Sequence, residues 1–283
     1  MNDKIKERIY LGIFRLCGIL SLLILVSILI FVIKLGIGVI DLNFILGMWQ
    51  TQDITKGGIF PAIVGTFYLG IGVAVFSVPV GICCAIYLNE YARNTGLVRM
   101  IRLAIRNLAG VPSIVYGLFG FAVFVQFLHF GTSLLAASLT LAAMTIPWVI
   151  TASEEALKGV PDGFREGAIA LGATRWQAIR TNVLPSALPG MITGSIIGLA
   201  RAMGETAPLI IVGATFYMRG IPDSPFDKFM ALPYHVFILA TQHNHPLAEQ
   251  YAAGTALVLV LLIFLMALAA MIVRYNFRRK RRW

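Results

Sequence analysis

Six long apolar stretches, separated by short polar segments, dominate the pattern of the chain. They lie at 13–33, 62–88, 108–130, 132–152, 188–214 and 251–273. A helix of about 20 apolar residues covers the roughly 30 Å hydrocarbon core of a bilayer, so each stretch is long enough to span it. Because the polar segments are too short to form a further folded domain, the pattern predicts an all-α, polytopic membrane protein with six transmembrane helices.

The composition supports a membrane protein and excludes two other classes. Of the 283 residues, 58% are hydrophobic and only 13% are charged. A soluble globular domain carries about 25% charged residues. A soluble fold of this size has no core large enough for so much apolar surface, and a disordered chain is far more polar. These values exclude an ordinary cytosolic enzyme and a disordered protein.

The basic residues are distributed unevenly between the two sides of the predicted membrane helices. The net charge is +10, and 18 of the 23 lysines and arginines lie in the N-terminus, the 89–107 loop, the 153–187 loop and the C-terminal tail. Loops rich in lysine and arginine stay in the cytoplasm, so we expect both termini there and a multi-pass protein of the cytoplasmic (inner) membrane. This placement between apolar runs argues against a nucleic-acid-binding surface.

The pattern divides the chain into three parts. Residues 1–61 are predicted to hold an anchor span and an outer loop, residues 62–273 a five-span core, and residues 274–283 a basic cytoplasmic tail. The first apolar run is longer than the hydrophobic region of a signal peptide, and no small-residue cleavage site follows it, so we interpret it as an uncleaved anchor.

The 153–187 loop is the least apolar sequence between two predicted spans. Pro161 and Asp162 favour the start of a short helix, Gly172 its end, and Thr174 the cap of a second one. Phe164, Ala168 and Leu171 recur at i, i+4 and i+7, which predicts an apolar face on the first helix. That face either packs on the protein's own membrane helices or the lipid interface, or binds a soluble partner.

The same loop resembles the EAA loop of type I permeases of ATP-binding-cassette importers. Glu166, Gly167, Ala168 and Gly172, followed by Leu184-Pro185, stand at the offsets of that motif, in which Gly167 replaces an alanine. The resemblance implies a type I importer permease fold. It also implies that these residues form a coupling helix, which docks on a separate ATPase subunit.

Three further runs resemble the permeases of phosphate importers, and the A subunit more than the C subunit. They lie at 57–92, 106–120 and 201–214, and the last contains the sequence GETAP. The resemblance implies inorganic phosphate as the transported anion and alternating access as the mechanism. The implied partners are a cytoplasmic ATPase dimer, a second related permease and a phosphate-binding protein on the outer face. A chain of this kind is a transport subunit rather than an enzyme and needs no cofactor.

Two charged residues, Arg201 and Glu205, lie inside the fifth predicted span. A lone charge at the centre of a bilayer costs about 2.5–3.5 kcal/mol on insertion scales, and residues four apart share a helix face, so we expect the two to pair. The pair either joins helices or forms an anion contact in the translocation pathway, where the forked guanidinium suits phosphate. Thr206, Ser113 and Tyr116 are further candidates for the pathway, with helix packing as the alternative for the last two.

Other functions have less support in the sequence. No P-loop motif, no catalytic triad spacing and no metal-ligand spacing occur in the chain. An importer of another oxyanion remains an alternative. A self-sufficient secondary transporter is less favoured, because such proteins usually contain internal repeats, and none is evident here.

Overall fold

The computed structural model describes residues 3–50, 53–218, 220–242 and 244–279. Within these ranges the chain is all-helical and has no strand, as the apolar pattern predicts. The helices are α1 Asp3–Gly36, α2 Leu42–Leu46, α3 Phe60–Ile86, α4 Gly96–Leu108, α5 Ser113–Gly120, α6 Leu134–Lys158, α7 Gly163–Ala170, α8 Arg175–Ala178, α9 Leu184–Met203, α10 Ala207–Val212, α11 Leu232–Thr241 and α12 Ala248–Arg279.

Short π-helical turns extend three of these helices. They are Tyr87–Tyr91 after α3, Phe121–Phe127 after α5 and Ile179–Val183 between α8 and α9. With these turns included, five helical segments in the described part of the chain are long and apolar enough to cross a membrane. They are Glu7–Val39, Phe60–Tyr91, Leu134–Lys158, Arg175–Met203 and Ala248–Ile272.

The third predicted span, 108–130, is not one straight helix. The chain bends by 101° between α4 and the segment Ser113–Phe127, and only counting the bent pair as one span gives a sixth. Pro112 stands at the bend, where it has no amide hydrogen to donate and disfavours helical backbone at the residue before it. The segment after the bend is shorter than a straight span requires.

The fifth predicted span, 188–214, is also interrupted. Helix α9 ends at Met203, and the chain becomes helical again only at Ala207. Pro208 in the first turn of α10 has no amide hydrogen to bond to the carbonyl of Gly204, so this bond does not bridge the break. The fifth predicted span therefore consists of two helices with a short break between them.

The core of the fold is formed by α3, α6 and α9, with α6 in the middle. About two-thirds of the most apolar stretch of α6 is buried inside the protein. The corresponding stretch of α12 is only 6% buried, and that of α1 is 0% buried. Small residues allow the central helices to approach closely, since a Cβ placed on Gly194 of α9 would lie 2.2 Å from the Cβ of Ala152 of α6.

The first span packs on α12, and the two helices approach closely at Gly36. A Cβ on Gly36 of α1 would lie 2.5 Å from the backbone nitrogen of Gly254. Helix α12 runs beyond the predicted span limit at residue 273, so the predicted tail begins as a helix as far as Arg279. The last four residues, 280–283, lie outside the described residues.

The segment between α10 and α12 is buried more deeply than its sequence suggests. Phe229, Met230 and Leu232 are completely buried. The backbone amide of Leu232 donates a hydrogen bond of 2.8 Å to Oγ1 of Thr66 in α3. These apolar side chains therefore fill the bundle instead of facing lipid.

Candidate functional site

The 153–187 loop contains the two short helices that its sequence predicts. Helix α7 is followed by Gly172, which has a φ of +86°, a left-handed conformation that glycine adopts without strain. Thr174 caps α8, because its hydroxyl accepts a 3.3 Å hydrogen bond from the Gln177 amide, and Oε1 of Gln177 accepts one of 2.8 Å from the Thr174 amide. The glycine therefore sets the angle between two independently capped helices. We refer to residues 159–183 as the α7–α8 loop.

The apolar face predicted on α7 is divided between two directions. Ala168 is buried under the helix, whereas Leu171 is 91% exposed. The helix ends at Ala170, so Leu171 no longer follows its period and points outward instead. The face predicted from i, i+4 and i+7 spacing is therefore only partly correct.

The α7–α8 loop presents an apolar surface of its own. Its members are large side chains that are at least 46% exposed, namely Phe164, Ile169, Leu171 and Trp176. Beside Phe164, an open cleft of about 300 Å³ separates α6 from α9, and Ala156, Val160 and Gly190 line it. The motif residues Glu166 and Gly167 are also exposed, and a Cβ on Gly167 would meet no atom within 4 Å.

A buried ion pair, which sequence analysis did not identify, fastens this loop to the end of α3. Nη2 of Arg165 lies 2.7 Å from Oε1 of Glu90, and Nε lies 3.1 Å from Oε2, so the contact is bidentate. Only 5% of the Glu90 side chain is exposed. The same guanidinium donates to the carbonyls of Leu157 and Val160, at 3.0 and 2.9 Å. Hydrogen bonds to Glu90 raise the pKa of Arg165 above its ordinary value.

A second arginine of the loop contacts the neighbouring residue of the same π-helical turn. The guanidinium carbon of Arg175 lies 5.4 Å from the centre of the Tyr91 ring. Glu90 thus pairs with Arg165 of α7, and the ring of Tyr91 contacts Arg175 of α8. No local sequence pattern could have identified these contacts, because the partners are far apart in the chain; the only signal was an acidic residue at the end of an apolar run.

The charged pair in the fifth span is present, but it does not share a helix. Arg201 lies in the last turn of α9, and Glu205 lies in the break that follows. Nε of Arg201 is 3.8 Å from Oε1 of Glu205. Half of the Arg201 side chain is exposed, against 18% for Glu205, and the guanidinium carbon stacks 4.6 Å from the ring centre of Trp148. The prediction of pairing is confirmed, and the prediction of a shared helix face is wrong.

The other predicted pathway residues lie in this break and on α5. Thr206 is in the break itself, where its carbonyl accepts hydrogen bonds from the first amides of α10. Ser113 begins α5. Tyr116 is 8% exposed, and its hydroxyl donates a hydrogen bond of 2.9 Å to the carbonyl of Leu108. That bond gives Tyr116 a packing contact across the bend, while its role in a pathway stays a prediction.

Comparison with known proteins identifies the class of molecule. Residues 77–283 match the family model described as binding-protein-dependent transport system inner membrane component. A probable ABC transporter permease protein of Bacillus subtilis, YqgI, is 31% identical over 95% of both chains. The phosphate transport system permease protein PstA 1 of Mycobacterium tuberculosis is 37% identical over 80% of this chain and 72% of its own. A probable PstA of Methanocaldococcus jannaschii is 32% identical over 93% and 91%.

Solved structures share the fold at lower identity. A permease chain of a bacterial alginate ABC transporter, in complex with its pentasaccharide-bound periplasmic protein, matches 95% of this chain and 94% of its own with a TM-score of 0.67 and 16% identity. A chain of the inward-facing methionine transporter MetNI matches 78% and 94% with a TM-score of 0.60 and 22% identity. The chain therefore belongs to the inner membrane component family of binding-protein-dependent transport systems, and it has the fold of a type I ABC importer permease.

Proposed function

We propose that this chain is the permease subunit of an ATP-driven importer of inorganic phosphate, in which it forms half of the translocation pathway. The support is the set of relatives named as phosphate transport permeases, at 32–37% identity. The methionine and alginate transporters share the fold, so the fold by itself does not select a substrate.

The observation that carries the proposal is the position of Arg201. It stands where the fifth span breaks, and half of its side chain is exposed. The 3.8 Å separation from Glu205 leaves the guanidinium donors accessible to an oxyanion. Glu205 partly neutralises the arginine, which favours release of the anion as well as its binding. Thr206, Ser113 and Tyr116 complete the proposed pathway from the break and from α5.

The α7–α8 loop is the proposed contact with the ATPase dimer. Its exposed apolar side chains suit a groove on a soluble partner, and Glu166, Gly167, Ala168 and Gly172 are its motif residues. We place the loop and both termini in the cytoplasm on the strength of the basic residues there. A second related permease supplies the other half of the pathway, and a phosphate-binding protein delivers the anion to the outer face.

The structure suggests how a movement of the ATPase would reach the membrane. The loop is joined to α3 through the Arg165–Glu90 pair and runs directly into α9, whose far end carries Arg201. A displacement of the loop would therefore move both helices and change the access of the Arg201 region to the two sides of the membrane.

Uptake of radiolabelled phosphate into proteoliposomes containing the complete complex tests the proposal. Arg201→Lys keeps the charge but loses the planar fork, so we expect slower uptake with normal assembly. Arg201→Ala should be more harmful because it also leaves Glu205 without its partner. The decisive variant is the double substitution Arg201→Ala, Glu205→Ala, which should co-purify with its ATPase and stay inactive in uptake.

Three results would contradict the proposal. Phosphate uptake by the double variant at the wild-type rate would leave the pair as a contact between helices only. Uptake that sulfate or molybdate suppresses as effectively as unlabelled phosphate would assign the importer to another oxyanion. Uptake without the ATPase subunit would favour a secondary transporter.

A further inference from the structure

Helix α4 lies across the direction of the membrane spans. It meets the segment beginning at Ser113 at an angle of 101°, so it runs along the membrane plane when that segment enters the bilayer. The hydroxyl of Tyr116 donates to the carbonyl of Leu108, which holds the end of α4 against α5 at this bend. The orientation of α4 is therefore fixed by a contact inside the fold.

One narrow side of α4 attaches it to the bundle. Val98 and Ile105 pack against the cluster of apolar side chains around α6. Arg102 lies between them in the chain. Its Nε is 3.1 Å from Oε1 of Glu154 in α6, and its Nη2 donates a hydrogen bond of 2.7 Å to the carbonyl of Leu88. These contacts account for one side of the helix and leave its remaining surface exposed.

The exposed surface of α4 has two chemically different parts. Leu97, Met100 and Leu108 lie on one flank, following the helical spacing, and are 63%, 61% and 45% exposed. Arg99 and Arg106 lie on the opposite flank and are also exposed, next to Leu103, which is 57% exposed. A short helix with one apolar and one basic flank, parallel to the membrane, is the form of an interfacial helix.

Lipid is the occupant that fits both flanks at once. The apolar flank continues along the chain into exposed apolar residues of α5, such as Ile114 and Leu118, which belong to a membrane segment. Two arginines beside an apolar flank complement a layer in which phosphate headgroups lie directly above acyl chains.

We propose that α4 is an interfacial lipid-binding helix that recognises anionic phospholipid through Arg99 and Arg106. The apolar flank inserts Leu97 and Met100 below the headgroups, and the two arginines bind lipid phosphates. Because Arg102 on the same helix pairs with Glu154, the bound lipid layer fixes the height of α6 relative to the membrane surface. The proposal does not depend on the substrate that the protein transports.

The charge requirement is tested by lipid selection. The purified permease is reconstituted in nanodiscs of phosphatidylcholine with a minor fraction of phosphatidylglycerol, and the lipids it retains are identified by native mass spectrometry. An arginine near an anionic surface favours binding by about fivefold, so Arg99→Gln, Arg106→Gln should lower the preference for phosphatidylglycerol by roughly 25-fold. The matched control, Lys158→Gln, Arg180→Gln, removes two exposed charges elsewhere at the same end and should keep the preference.

The placement is tested by spin labels at single cysteines, after Cys17, Cys83 and Cys84 are replaced by alanine. Labels at Leu97 and Met100 should be reached by oxygen, which dissolves in hydrocarbon, and a label at Arg99 by an aqueous nickel chelate. The proposal is wrong if both labels at Leu97 and Met100 are aqueous in the permease and become protected only when the ATPase binds. It is equally wrong if the double glutamine variant keeps its lipid preference, if the control loses it to the same extent, or if added inorganic phosphate displaces the lipid. Neither readout requires transport, so failure here leaves the proposed function intact.

Discussion

The guanidinium of Arg165 lies 2.7 Å from the carboxylate of Glu90, although the two residues are 75 positions apart in the chain. Glu90 belongs to the π-helical turn that ends α3, and Arg165 to the first helix of the α7–α8 loop. Because 5% of Glu90 and 20% of Arg165 is exposed, solvent screens this pair much less than a surface pair. The pair is thus a largely buried side-chain connection between the loop and α3.

Substitution of Arg165 should weaken the connection between the α7–α8 loop and α3. Arg165→Lys keeps the charge but cannot reach the carboxylate and the carbonyls of Leu157 and Val160 together, so we expect ATP hydrolysis to continue with less substrate imported per ATP. Arg165→Ala should also destabilise the fold by about 3 kcal/mol, since it leaves Glu90 buried without its partner. The ratio of uptake to ATP hydrolysis in proteoliposomes measures the first effect and thermal denaturation the second.

Arg180→Lys is the control for the arginine series, because Arg180 is exposed on the same loop. It should leave both the ratio of uptake to ATP hydrolysis and the melting temperature unchanged. An Arg165→Lys variant with the wild-type ratio would show that the pair has no part in coupling.

Two glycines of the loop should respond oppositely to the same substitution. Gly172→Ala places a side chain on backbone with a φ of +86° and should cost about 1 kcal/mol, enough to change the angle between α7 and α8 and weaken ATPase binding. Gly167→Ala lies inside α7 with no atom within 4 Å of the added Cβ, and it should stabilise the helix by up to about 1 kcal/mol. Thermal denaturation measures the two changes in stability, and the affinity of the ATPase for the reconstituted permease measures the loss of binding.

Gly172→Asn provides a further check, since asparagine tolerates left-handed backbone better than alanine does. It should recover part of the lost affinity. Equal effects of alanine at Gly167 and Gly172 would exclude backbone conformation as the explanation.

The attachment of the first span should depend on the absence of a side chain at Gly36. Gly36→Val would force atoms into the backbone of Ala253 and Gly254 in α12, so we expect a lower melting temperature and separation of α1 from α12. Gly18→Val in the same helix meets no atom within 4 Å and serves as the matched control. A normal melting temperature for Gly36→Val would mean that α1 does not pack on α12 at this point.

The proposed orientation predicts which side of the membrane each exposed position faces. In a chain whose native cysteines Cys17, Cys83 and Cys84 are replaced by alanine, a cysteine at Asp223 should react with a membrane-impermeant maleimide added to intact cells. A cysteine at Asp162, whose side chain is 86% exposed, should react only after the membrane is opened. Both positions are open in the fold, so a difference between them reports the side of the membrane. Labelling of Asp162 in intact cells would reverse the orientation.

Much of the fold follows from the sequence alone, because a bilayer imposes a simple rule on an apolar helix. The lengths of the apolar runs predict the five long spans, and the basic residues predict their orientation. Local backbone chemistry predicts the helices of the 153–187 loop: Gly172 is left-handed and Thr174 forms a cap, and both depend only on neighbours in the chain. The Arg201–Glu205 pair was also predicted, because its members lie four positions apart in the chain, although they do not share a helix.

Only the tertiary structure decided where the helices break and which distant residues meet. Hydropathy gives the third and fifth apolar runs as single spans and does not show the bend before Ser113 or the break between Met203 and Ala207. Nor could any local pattern bring Glu90 to Arg165, Arg102 to Glu154, or Leu232 under α3, because these contacts depend on how whole helices pack. Periodicity and charge are properties of neighbours in the chain, whereas a buried ion pair forms only where the packing of helices removes both partners from water.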